Sequence, residues 1–237
     1  MSYTMDYPLA ARAEASERVA FIRRTYGHLA GAILAFAGLE ALLLSIPGIA
    51  NSVVPLMMSS GLSWLVVLVA FAGVSWLATR WAESDASVGL QYLGLSLYVV
   101  AEAVIFLPLM LIAVTYYPNA IPTAGIVTLG LFAGLTAAVF LTRGDYSHIR
   151  PILSIGTFAA IGFVIAACIF PFSNLLITIF CFAMVALASG AIIYNTSNVL
   201  HHYRTDQHVA AALALFAAVA LLFWYILQII MRASSRD

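Results

Sequence analysis

Residues 209–231 read VAAALALFAAVALLFWYILQIIM, 23 residues without a single charge. A helix of about 20 apolar residues crosses the hydrocarbon core of a bilayer, so this stretch is long enough to span a membrane. The whole chain has the same character: of its 237 residues, 64% are apolar and 8% are charged. Soluble domains carry about 25% charged residues. The sequence therefore predicts an all-α, multi-pass integral membrane protein in contact with the lipid bilayer.

Helix-breaking residues divide the remaining apolar sequence into further spans. Pro47 follows the first apolar run, and Arg80 ends the second. Two longer runs exceed the length of one helix, and Pro118 and Pro171 divide each of them in two. The predicted spans are residues 26–46, 62–79, 89–115, 121–141, 151–170, 175–200 and 209–231.

These seven spans predict a single transmembrane domain over residues 29–231. A cytoplasmic N-terminal segment, residues 1–28, precedes it, and a short tail, residues 232–237, follows it. Alternating acidic and basic residues over 11–26 favour a short amphipathic helix on the membrane surface rather than a signal peptide. Because all loops are short, we expect any function to lie in the helix bundle or at its inner face.

The arginines predict the orientation of the bundle, since inner loops of membrane proteins are enriched in basic residues. With the N-terminus inside, the inner segments carry eight of the ten arginines: Arg12, Arg18, Arg23, Arg24, Arg80, Arg143, Arg150 and Arg204. The tail carries the other two, Arg232 and Arg236. The N-terminus is therefore predicted to be cytoplasmic. The short loops and the lack of a targeting segment favour a bacterial inner membrane.

Composition excludes several classes of protein. All ten basic residues are arginine, so the Schiff-base lysine of a retinal protein and the lysine of a P-loop ATPase are both missing. The net charge of zero leaves no basic face for nucleic acid. Cys168 and Cys181 lie in apolar runs and predict no disulfide. His201, His202 and His208 match no usual zinc spacing, so no metal site is expected.

An intramembrane protease is not expected either. A rhomboid-type serine protease uses a Gly-x-Ser-Gly turn, but Leu187 stands where the first glycine would precede Ser189. An aspartyl protease needs two intramembrane aspartates, and no aspartate lies within a predicted span. We therefore expect a protein that is not an enzyme and needs no cofactor.

Two acidic residues are predicted at membrane depth. Glu102 lies in the middle of the third span, and Glu40 lies about six residues from the outer end of the first. An ionisable group at this depth costs at least about 2.5 kcal/mol, so each is a candidate for an ion pathway or a sensor. Each could equally be a neutral carboxyl that joins two helices by a hydrogen bond.

A second polar cluster ends the sixth span. Asn195 and Asn198 are three residues apart and share a helix face. Pro108, six residues after Glu102, frees a backbone carbonyl close to that acid. Such a kink is typical of a cation pathway, and it is also a common structural feature of membrane helices.

Four motifs in this order resemble the Bax inhibitor family, and in particular its bacterial inner-membrane members. The motifs are residues 18–26 (RVAFIRRTY), 136–148 (TAAVFLTRGDYSH), 193–197 (IYNTS) and 222–228 (LFWYILQ). The resemblance covers nearly the whole chain. It implies a seven-transmembrane-helix bundle of Bax inhibitor type.

The chain departs from this family where the resemblance implies a pH sensor. In bacterial relatives, an aspartate in the sixth span and one in the seventh are thought to sense pH and gate a calcium leak. Asn195 stands at the first position and Ala218 at the second. Arg80 matches a basic position near that pair, but the acidic residues Glu83 and Asp85 follow it. Because an amide and a methyl group do not titrate, a gate of the family type should not operate here.

Two functions remain open at the sequence level. The first is a passive cation leak, for calcium or protons, with an altered or absent pH gate. In this hypothesis the titrating site has moved to Glu102 and Glu40. The alternative is a non-conducting regulator that binds other membrane proteins, such as a protease, or suppresses a stress or cell-death response. A polar path from Glu102 to Asn195 would favour the leak, and a dry, leucine-filled core would favour the regulator.

Overall fold

The computed structural model describes residues 8–84 and 87–235. Its helices are α1 (Ala15–Ser45), α2 (Ile49–Met58), α3 (Gly61–Ala82), α4 (Val88–Tyr116), α5 (Ala120–Thr142), α6 (Arg150–Ile169), α7 (Asn174–His201) and α8 (His208–Ser234). All of them except α2 are long and apolar enough to cross a membrane. This confirms the predicted all-α, seven-span architecture.

One local prediction is wrong, and one short helix was not predicted. The expected surface helix over residues 11–26 is not separate, because α1 continues from Ala15 to Ser45 without a break. No proline interrupts this stretch, so nothing ends the helix at the membrane surface. The loop between the first two spans contains the unpredicted helix α2. Its polar Asn51 and Ser52 and its internal Pro55 read as loop in the sequence. Two positions used above, Asp85 and Arg236, lie outside the described residues.

Helix α8 lies at the centre of the bundle and packs against α1, α3, α4, α5 and α7. It buries sixteen residues, whereas α6 at the periphery buries Ala160 alone. The two helices are nearly equal in hydropathy. Lipid tails are as apolar as a protein core, so hydropathy does not separate a central helix from a lipid-facing one.

Serine side chains cap the starts of three helices, and a glycine permits the close approach of α3 and α4. Ser60, Ser87 and Ser173 each accept a hydrogen bond from a backbone N–H in the first turn of α3, α4 and α7. Gly94 of α4 lies against the backbone of α3. A Cβ atom at this position would be 2.6 Å from the backbone nitrogen of Ala82. The two helices can approach this closely only because residue 94 has no side chain.

One end of the bundle, here called the N-terminal face, gathers the N-terminal segment and the loops that follow α3, α5 and α7. The backbone nitrogen of Ala10 donates to the carbonyl of Tyr203 at 2.8 Å, and Leu9 pairs with Arg204. The backbone nitrogen of Tyr146 donates to the hydroxyl of Ser197 at 2.9 Å. These bonds attach the first residues and the α5–α6 loop to the end of α7.

Candidate functional site

A cavity of about 680 Å³ lies between α3, α4, α6, α7 and α8, and is here called the core cavity. Its walls are mostly aliphatic and aromatic. Its polar lining consists of Tyr98, Glu102, Asn195, Tyr225 and Gln228. A large apolar cavity with a few converging polar groups is the usual form of a binding or conducting site in a helix bundle.

Glu102 contributes the carboxyl group of the core cavity, and its side chain is only 6% exposed. The hydroxyl of Tyr98, one turn earlier on α4, lies next to this carboxyl, and Ser75 of α3 lies next to Tyr98. Within residues 8–84 and 87–235, no arginine or histidine forms an ion pair with Glu102. A single carboxyl without a fixed positive partner can hold a proton or attract a cation.

The two positions at which the chain lacks the family's aspartates also line the core cavity. The side-chain amide of Asn195 donates to the carbonyl of Ala214 on α8 at 3.1 Å. Ala218 follows one turn later on α8. The structure thus brings together Glu102, Asn195 and Ala218, which the sequence could place only on three different helices.

The other candidate residues lie elsewhere. Glu40 is 4% exposed on α1 and does not line the core cavity, and neither of its carboxyl oxygens has a hydrogen-bond partner among the described residues. Arg80 lies at the exposed end of α3, with its guanidinium 5.5 Å from the ring centre of Trp76. Neither residue is in a position to act on a group bound in the core cavity.

Asn198 lines a second cavity, of about 510 Å³, at the N-terminal face. This face pocket is formed by Ser147, Arg150, Tyr194, Asn198, His202, Tyr203 and Gln207. Although Asn195 and Asn198 are neighbours on one helix, they therefore belong to different cavities.

A hydrogen-bonded pair, His202 and Asp145, holds the α5–α6 loop beside the face pocket. Nε2 of His202 lies 3.2 Å from each carboxylate oxygen of Asp145. The backbone nitrogen of Ser147 donates to the same carboxylate at 2.9 Å. The Ser147 N–H and then His202 lower the pKa of Asp145 to about 2, so this carboxylate is ionised at neutral pH. Asp145 and His202 are 57 residues apart in the sequence, and nothing in their spacing indicates that they pair.

Fold and cavities define the class of protein: a seven-helix integral membrane protein with a carboxyl-bearing cavity inside the bundle. The sequence profile described as "Inhibitor of apoptosis-promoting Bax1" matches residues 18–236. The chain belongs to the Bax inhibitor family, as the four motifs indicated.

Two relatives are similar to this chain, and one of them carries the name of the family. An uncharacterized protein of Pseudomonas aeruginosa is 27% identical over 238 aligned residues, which cover 96% of each chain. A protein of Schizosaccharomyces pombe named Bax inhibitor 1 is 27% identical over 126 residues, which cover 53% of this chain and 47% of the relative.

Proposed function

We propose that this chain is a non-enzymatic, passive leak for cations, either calcium or protons. We place it in a bacterial inner membrane with its N-terminus in the cytoplasm. The observation that supports this most strongly is the core cavity, since it is lined by Glu102 and by both positions of the missing aspartates. Glu102 would offer the carboxylate that a cation needs at membrane depth, and Tyr98 would offer a hydroxyl next to it.

The pH gate of this leak differs from that of the bacterial relatives. Asn195 cannot change its charge, and its amide is already bonded to a backbone carbonyl of α8. Ala218 offers only a methyl group. Any proton-linked change inside the core cavity must therefore come from Glu102, and Glu40 takes no part because it lies outside the cavity.

The test is calcium and proton flux into proteoliposomes that contain the purified full chain, between about pH 6 and pH 8. We expect flux in the wild type and a strong loss in Glu102→Gln, which keeps the size of the side chain but removes its charge. Glu40→Gln is the matched control, because it makes the same change in another buried carboxyl outside the cavity. Equal flux in wild type and Glu102→Gln would contradict the proposal.

A second function has one observation in its favour, the predominantly apolar walls of the core cavity. A protein that conducts nothing at any pH would be better explained as a regulator that binds another membrane protein, with a protease as one possible partner. In that case the Glu102 carboxyl would serve helix packing, and Glu102→Gln would change thermal stability without changing any flux.

A further inference from the structure

The face pocket is chemically different from the core cavity and plays no part in the proposed leak. Three segments form it: the short turn before α6 with the first residue of α6, the last turns of α7, and the loop that follows α7. Every residue in its lining is polar, and none of them is acidic.

Several hydrogen-bond donors in this pocket have no protein partner. Among the described residues, nothing bonds to the guanidinium of Arg150, the hydroxyl of Tyr194 or the side-chain amide of Asn198. Gln207 accepts a hydrogen bond at its Oε1 from the backbone nitrogen of Arg204, at 3.1 Å, which leaves its amide N–H groups free. The pocket therefore presents a set of donors for a ligand that accepts hydrogen bonds.

Tyr203 adds a donor that stays protonated. Burial raises the pKa of its phenol to about 12, and the nearby Glu83 carboxylate acts in the same direction. At neutral pH the hydroxyl is therefore neutral and can donate a hydrogen bond.

The charges around the pocket favour an anion. Arg150 carries a full positive charge, and no carboxylate pairs with it within the described residues. The nearest acid along the loop, Asp145, is already engaged by His202 and the Ser147 backbone. Asp206, which precedes Gln207 in the chain, forms an ion pair with Arg204 at 3.1 Å. Glu83 lies close enough to Tyr203 to raise the pKa of its phenol.

We propose that the face pocket binds a phosphate-bearing anion through the Arg150 guanidinium and the surrounding amide and phenol donors. A guanidinium binds phosphate oxygens through two parallel hydrogen bonds, and the neutral donors can satisfy the remaining oxygens. The phosphate could belong to a lipid headgroup, because the lipid-facing side of α6 begins next to Arg150. Ile152, Ile155 and Phe158 are between 67% and 76% exposed there and offer an apolar path for acyl chains. It could equally be a free phosphate ion.

The experiment compares these two sources on the purified full chain in detergent. Phosphatidylglycerol is added and the bound lipid is counted by native mass spectrometry, and inorganic phosphate is titrated by calorimetry. We expect Arg150→Gln to weaken binding at least about tenfold, as for the loss of one charge-assisted hydrogen-bonding group. Tyr194→Phe, which removes one hydroxyl, should weaken it by a smaller factor.

Arg143→Gln is the matched control, since Arg143 is an exposed arginine of the same loop that does not line the pocket. It should leave binding within about twofold of the wild type, as expected for a surface charge. Lipid binding that millimolar phosphate does not displace identifies a headgroup, and Arg150-dependent binding of phosphate alone identifies the free ion. If neither ligand binds, or if Arg143→Gln weakens binding as much as Arg150→Gln, the proposal is wrong.

Discussion

The core cavity and the face pocket are lined by adjacent residues of α7, yet they have opposite chemistry. Asn195 lines the first and Asn198 lines the second. The core cavity holds a carboxyl group among apolar walls, whereas the face pocket holds a guanidinium among amide, hydroxyl and imidazole groups. This difference follows the depth in the membrane, because a charge among apolar side chains is costly and a charge at the membrane surface is not. We therefore expect the two cavities to respond independently to mutation.

The largest expected effect concerns the packing contact between α3 and α4. A Gly94→Ala change would place a methyl group 2.5 Å from the carbonyl oxygen of Ala78, and neither backbone can move without separating the helices. Overpacking of this kind costs about 1–3 kcal/mol or more. We expect a lower melting temperature, a lower yield of monodisperse protein and loss of flux.

The neighbouring Gly89 provides the control for this change. It lies on the same helix, and a methyl group there would meet nothing within 4 Å. Gly89→Ala should therefore leave the melting temperature unchanged or slightly higher. If both variants melt like the wild type, α3 and α4 are not packed as closely as described.

The second largest effect is expected when the two missing acids are restored to the core cavity by mutation. The double variant Asn195→Asp with Ala218→Asp places two carboxyl groups on α7 and α8 at the same cavity. Such a pair shares a proton and titrates as a unit. We expect the flux into proteoliposomes to become more strongly pH-dependent between about pH 6 and pH 8 than in the wild type.

The single variant Asn195→Asp shows whether the pH response needs a pair of carboxyl groups that share a proton or only one added carboxyl group. It should give a smaller change than the double variant, because one carboxyl has no partner at residue 218. If both variants show the pH response of the wild type, these two positions no longer control the pathway.

At the N-terminal face, Asp145 makes the stability of the α5–α6 loop depend on pH, but only in the acidic range. Its lowered pKa means that the charged carboxylate stabilises the α5–α6 loop above about pH 4, and that this contribution disappears as the pH falls towards 2. Asp145→Asn should accelerate hydrogen exchange at the Ser147 amide several-fold at neutral pH. The exchange rates of the variant and the wild type should become equal in strong acid, where the Asp145 carboxylate is protonated.

The Asp145 carboxylate stays ionised between about pH 6 and pH 8, because its pKa is about 2. Asp145→Asn should therefore leave the pH profile of flux unaltered. A changed profile would mean that the loop is coupled to the core cavity, and the two regions would then not be independent.

The sequence was sufficient for the seven spans, because each needs only length and hydropathy. It could not identify α8 as the central helix, since the lipid-facing α6 is equally apolar. It could name Glu102 and Asn195 as polar residues at depth, but their meeting in one cavity depends on how α4 and α7 are rotated. Tyr225 and Gln228 were missed as lining residues because a hydroxyl and an amide near the end of a span are common.

The smallest effect is expected for a substitution of Arg80, which the family resemblance placed close to the sensor. Arg80 stacks on the exposed Trp76 at the end of α3 and does not line the core cavity. An exposed cation–π contact contributes about 0.5–1 kcal/mol, so Arg80→Gln should lower the melting temperature only slightly. Flux and its pH profile should match the wild type, in contrast to Glu102→Gln. A loss of flux in Arg80→Gln would show that the pathway extends beyond the core cavity to the end of α3.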